Sequence, residues 1–193
     1  MANLERLAHE RKITVLHEVR GNAFAWDGVE TQLLWPEIAP QEIGPSPKNN
    51  DSLVVHLKYG ERTFMLPGDA EKQAEGAILD ENSETALRAD VLKVGHHGSK
   101  NSTMPGFLAA VRPSVAVISA GEDNPYGHPN RELLERLEMA GVRILRTDRD
   151  GAVHILTDGE TLEISCFVAC SDATGKAASA LSKPPYQQKQ TEQ

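Results

Sequence analysis

Residues 13–40, ITVLHEVRGNAFAWDGVETQLLWPEIAP, alternate short β-branched or apolar runs with Gly, Asn and Asp, a pattern that predicts a β-meander. Residues 39–50 are dense in Pro, Gly, Ser and Asn and read as a surface loop. The strand SLVVHLKY follows, and a turn at Gly60 returns the chain through TFML. A polar, helix-favouring stretch runs from Asp69 to about Asn82. The apolar strand ADVLKVG comes next and opens into a Gly/Ser/Asn-rich loop over residues 98–103. PGFLAAVR then reads as a helix, SVAVISAG as a buried strand, EDNPYGHP as a loop and NRELLERLEMAG as a second helix. That helix carries Asn130 as N-cap, leucines 133, 134 and 137 on one face, and Gly141 as its stop.

Three further strands are expected at VRILRT, AVHILTD and TLEISCFV, with hairpin turns at Asp150-Gly151 and Asp158-Gly159. Strands followed by alternating helices and strands give an α/β layered fold with mixed sheets. From Ser171 the chain loses apolar periodicity. Residues 1–170 therefore read as one domain and residues 171–193 as a disordered tail.

Composition narrows the class. The 193 residues are 39% hydrophobic and 25% charged, ordinary for a soluble globular chain. No apolar run reaches the roughly 18 residues of a spanning helix, and MANLERLAHERK has no signal-peptide core, so the chain alone is expected to be cytoplasmic. A net charge of −8 argues against a broad basic face for nucleic acid, so a phosphate-bearing substrate must be held locally. The two cysteines, Cys166 and Cys170, lie in the apolar stretch CFVAC. Four strand steps would hold them roughly 13 Å apart, too far for a disulfide, so both are expected as free thiols.

Three short motifs carry candidate chemistry: LPGD ending at Asp69, GHHGS with His96 and His97, and YGHP with His128. Each follows a strand and opens a loop. Carboxylate and imidazole are donors that Zn²⁺ and Mn²⁺ accept, and such a metal makes hydroxide near neutral pH. Plain structural roles compete with this. Asp69 could cap the following helix, and His128 could fix a turn before Pro129. Two adjacent imidazoles on opposite faces of a strand end are harder to explain by packing. His9, His17, His56 and His154 lack polar company and read as surface or packing residues.

The ordered series NNDSLVVHLKYGERTFMLPGD, ADVLKVGHHGSKNST, ISAGEDNPYGHP and RILRTDRDGAVHILTDG resembles the C-terminal metallo-β-lactamase domain of the ComEC competence DNA-uptake family, over about residues 12–165. The resemblance implies an αββα sandwich, a divalent metal site and phosphodiester hydrolysis in DNA. It also implies a parent protein in the bacterial inner membrane, with a competence channel as partner and this domain on the extracytoplasmic side. By the family's pattern, Asp69 and His96 are metal ligands. His97 and His128 act in catalysis, Ser99 lines the pocket, and Asn49 and Asn50 stand near it. The family's His-x-x-x-Asp-His cluster has no counterpart in residues 1–50. The chain is therefore expected to be the C-terminal part of such a domain, incomplete at the N-terminus, with metal binding weak or absent. A noncatalytic interaction domain, or a hydrolase of a small phosphorylated or lactone substrate, is the alternative.

Overall fold

The computed structural model describes residues 2–16, 18–37 and 49–170. The expected tail and most of the loop over residues 39–50 lie outside them, as does His17. The architecture is mixed α/β. A seven-stranded sheet runs in the order β1 (Ala23–Trp26), β2 (Val29–Trp35), β3 (Val54–Tyr59), β4 (Arg62–Leu66), β5 (Val91–Lys93), β6 (Val115–Ile118), β7 (Arg143–Arg146). Strands β1 to β4 are antiparallel, with two-residue turns joining β1 to β2 and β3 to β4. Strands β4 to β7 are parallel, as helical crossovers allow. The remaining strands, β8 (Val153–Thr157) and β9 (Leu162–Cys166), form a separate hairpin.

Six helices accompany the strands among the described residues: α1 (Ala2–Glu10), α2 (Lys72–Glu81), α3 (Glu84–Leu87), α4 (Pro105–Val111), α5 (Arg131–Met139) and the single turn α6 (Thr147–Asp150). Strand alternation sends successive side chains to opposite faces, and two cores result. Met65, Leu92, Ala116 and Ile118 pack with Ile78, Phe107, Leu133 and Leu137 on the helix side. On the other side Val91, Val115 and Leu145 meet Val153, Ile155, Leu162 and Ile164 of the hairpin. The layers are helices, sheet, hairpin. Among the described residues no helix is long and apolar enough to cross a membrane.

Three local expectations are corrected. The expected strand ITVLHEV has no regular structure at its described residues, and Ile13, Val15 and Leu16 are exposed. Its apolar alternation finds no pairing strand. Asp150-Gly151 is not a hairpin turn. Asp150 Oδ2 accepts from Arg146 N at 2.7 Å and closes α6, so the chain leaves the large sheet and starts the second one. The turn at Asp158-Gly159 does form the β8–β9 hairpin, and it docks on the β3–β4 turn. Glu61 N donates to Gly159 O at 2.7 Å, and a Cβ on Gly60 would lie 2.6 Å from that same oxygen.

The third correction concerns the cysteines. Cys166 and Cys170 form a disulfide, with Cα atoms 5.0 Å apart. A separation near 13 Å presumes an extended chain through residue 170, but β9 ends at Cys166. The chain then bends back as Phe167 N and Val168 N donate to Ala152 O and Asp150 O. Protein folded under oxidising conditions and then denatured without reductant is expected to show no maleimide-reactive thiol, and two after reduction. Two reactive thiols before reduction would contradict the pairing.

Candidate functional site

The parallel run β4, β5, β6 sets the site, because parallel strands end at one edge and so do the loops that follow them. Asp69 follows β4, His96 and His97 follow β5, and Ser119 to Gly121 follow β6. The first two loops are tied directly, His96 N donating to Gly68 O at 3.0 Å. The loop bearing His128 folds over them, held by Asn124, whose Oδ1 accepts from His128 N at 3.0 Å. Asp69, His96, His97 and His128 line one cavity of about 530 Å³, together with Ser119, Asn124 and Tyr126.

His96 and His97 do not occupy opposite faces of a strand end. Both adopt left-handed backbone, φ 46 and ψ 47 followed by φ 54 and ψ 19, and this turns the two rings into the same cavity. Two consecutive non-glycine residues in that region cost about 1–3 kcal/mol each, so the surrounding loop must over-determine them. His97 Nδ1 lies 2.8 Å from Ser119 O, a carbonyl that can only accept. Nδ1 therefore carries a proton, and Nε2 lies 3.7 Å from Asp69 Oδ1. His96 Nδ1 lies 3.0 Å from Glu71 Oε1, with Asn49 Nδ2 3.4 Å from each. The imidazole facing Asp69 is thus His97, while His96 faces Glu71.

His128 packs edge-on against His96 with ring centroids 5.7 Å apart and stacks on Tyr126 at 6.1 Å. Its Nδ1 is buried without a hydrogen-bond partner. Burial pushes its pKa below the usual imidazole value, and the neighbouring His96 and His97 push the same way. Near neutral pH the ring is uncharged. Lys93, at the end of β5, is lowered by burial against the opposing pull of Asp69.

Other candidates have structural duties. Asn50 Oδ1 accepts from Glu71 N at 3.0 Å and Ala74 N at 3.3 Å, so its side chain caps α2 from a distant loop. Ser99 is 5% exposed, accepts from Asn101 N and is not among the residues lining the cavity. Asp69 does not cap α2, whose N-cap is Glu71. His56 Nε2 bonds Arg88 O at 2.8 Å. The sequence reading missed Glu71, Asn124 and Tyr126. Asn124 could have been found as a turn residue four positions before His128. Glu71 gave no signal beyond standing two positions after Asp69.

Asp69 with the Nε2 lone pair of His97, whose other ring nitrogen donates to a carbonyl, is a pairing metal sites commonly use. Among the described residues, no group of three or more His, Cys, Asp and Glu is arranged to hold an ion. A resident zinc site uses three or four protein ligands.

No family model matches the chain. It is 39% identical over 147 residues to ComE operon protein 3 of Bacillus subtilis, an alignment covering 76% of this chain and 18% of the relative. It is 35% identical over 144 residues to Recombination protein 2 of Haemophilus influenzae, with 75% and 17% covered. Against Competence protein ComA of Neisseria gonorrhoeae it is 34% identical over 129 residues, with 67% and 18% covered. The chain thus spans less than a fifth of the length of these relatives. Similarity at 34–39% identity to segments of proteins so named supports a competence-related family for this chain.

Proposed function

We propose that the chain carries part of a metallo-β-lactamase-type phosphodiesterase site in a DNA-uptake protein, with DNA as substrate. The observation behind this is the convergence of Asp69, His96, His97 and His128 on one cavity at the ends of parallel strands. In this reading the parent protein belongs to the inner membrane, and a competence channel is its partner.

The polypeptide's own contribution is to place a phosphate. The uncharged ring of His128 is a hydrogen-bond donor for a phosphate oxygen or the departing alkoxide, and its unpartnered Nδ1 gains a partner when a ligand or a ring rotation supplies one. His97 is fixed in one tautomer by Ser119 O. Asp69 by itself repels a phosphate, so Asp69 and His96, the ligands that the family's pattern implies, serve a divalent ion, Zn²⁺ or Mn²⁺, with His97 held 3.7 Å from Asp69 beside them. Such an ion, when bound, supplies charge neutralisation and an activated water. In this reading any further ligands are supplied by residues outside the described ones.

The test compares this chain with the same chain in its longer polypeptide, on an oligonucleotide, a small phosphate ester and a lactone, with Mn²⁺ or Zn²⁺ added. The chain alone is expected to show no turnover above background. The longer polypeptide is expected to cleave the oligonucleotide, with kcat/KM falling about 100-fold or more in Asp69→Ala or His97→Ala. Chelator-sensitive turnover by the 193-residue chain would sink the need for outside ligands. A longer polypeptide that leaves DNA intact would sink the nuclease reading, and turnover confined to the ester or lactone would assign the site to a small substrate.

A further inference from the structure

Glu71 stands outside the cavity, yet it contacts a side chain that lines it. The carboxylate is 3.0 Å from His96 Nδ1, and both side chains are largely sheltered, 23% and 24% exposed. Asn49 Nδ2 sits 3.4 Å from Glu71 Oε1 and 3.4 Å from His96 Nδ1. With the His96 ring neutral, two proton arrangements fit these three atoms. If Asn49 donated to His96 Nδ1, that nitrogen would carry a lone pair facing a carboxylate oxygen 3.0 Å away, two acceptors in close opposition. If Nδ1 carries the proton, it donates to Glu71 Oε1 and Asn49 donates to the same oxygen. The second arrangement satisfies every group. It leaves the Nε2 lone pair of His96 as the ring's functional atom, on the part of the ring turned from Glu71.

We infer that Glu71 is a positioning residue, which holds His96 as the Nδ1–H tautomer so that its Nε2 lone pair is presented to the cavity. Ser119 O does the same for His97, so the two consecutive rings are set in one tautomeric state by two unrelated acceptors. The left-handed backbone at both positions makes this possible, because an extended chain would point the rings apart. Glu71 is also free of the usual duty of its position. It is the N-cap of α2 but its side chain makes no capping bond, so replacing it removes no helix cap. The bearing of this tautomer on phosphodiester chemistry rests on the reading above, while the tautomer itself belongs to the folded chain alone.

Ring-nitrogen NMR of ¹⁵N-labelled protein, at a pH where His96 is neutral, reads the tautomer directly. The wild type is expected to show His96 protonated at Nδ1. Glu71→Ala is expected to lower that preference about tenfold or more, the worth of one hydrogen bond to a charged acceptor. Glu71→Gln should restore it, because the amide oxygen still accepts. His97 should keep its Nδ1–H state in all three, which serves as the check that the loop is still folded. Protonation of His96 at Nε2 in the wild type, or an unchanged His96 in Glu71→Ala with His97 intact, would overturn the inference. The tautomer is read without hydrolysis, so failure of this experiment and failure of the nuclease reading are separate results.

Discussion

Glu75→Ala is expected to lower the unfolding free energy by roughly 2–5 kcal/mol. Glu75 is 1% exposed, and its carboxylate accepts from the backbone N–H groups of Thr103 and Met104, the latter at 2.8 Å. On the same segment Arg136 donates to Ser102 O at 3.1 Å and Thr103 O at 2.7 Å. The loop that follows His96 and His97 is therefore clasped by an acid and a base from two helices. Alanine would leave two sheltered N–H groups without partners, each costing about 1–3 kcal/mol. Denaturant unfolding measures the loss, and a change below 1 kcal/mol or so would mean the clasp is not structural.

The same residue makes stability depend on pH. Burial pushes the Glu75 carboxyl from 4.5 up to about 7, against the pull of the two N–H groups and Arg136. The folded state holds this proton more tightly than the unfolded chain does. The associated stability is fully present below about 4.5 and is lost as pH rises through about 7. A gap of that size is worth roughly 3 kcal/mol. His128, whose pKa is lowered, acts in the opposite sense below its ordinary value of 6.5. The Glu75 contribution is thus read from the difference between wild type and Glu75→Gln, in which it is absent. Parallel curves for the two proteins across this window would refute the assignment.

Gly98→Ala is expected to cost about 2–5 kcal/mol and to separate the histidine loops. Gly98 has φ +91, and a Cβ there would lie 2.6 Å from Pro129 Cβ and 2.9 Å from Pro129 Cα. Left-handed strain supplies about 1–2 kcal/mol and the overpacking about 1–3. Pro129 follows His128, and Asn130 N donates to Gly98 O at 2.8 Å, so relief of the clash must move the loop that carries His128. Gly141→Ala is the control. Its φ is +69 but a Cβ there meets nothing within 4 Å, so only the strain should appear. Equal losses in the two variants, with His128 ring signals unmoved, would show that contact with Pro129 is unimportant.

Much of this protein was legible in the sequence. Continuous apolar runs located β5 and β6, buried on both faces, and the Asn130 cap, the leucine spacing and Gly141 delimited α5. The motif residues Asp69, His96 and His97 were legible because each sits where a strand gives way to a loop, whereas His128 closes the loop between β6 and α5 rather than opening one. That they meet in one cavity depends on β4, β5 and β6 being parallel neighbours, which local pattern does not encode. Tertiary structure alone decided which imidazole faces Asp69, because two left-handed residues turned the rings of His96 and His97 together. It also gave Asn50 to the start of α2, Glu71 to His96 and Glu75 to the loop at Thr103. The cysteines show the same division: residue spacing assumed an extended chain, and bonds from Phe167 and Val168 to another strand's end bent it until Cys166 met Cys170. Hydrophobic period is a property of neighbouring residues and survives in the sequence. A hydrogen bond between residues 20 or 30 apart exists only after the sheet has brought their loops to one edge, and that is where the candidate chemistry of this chain lies.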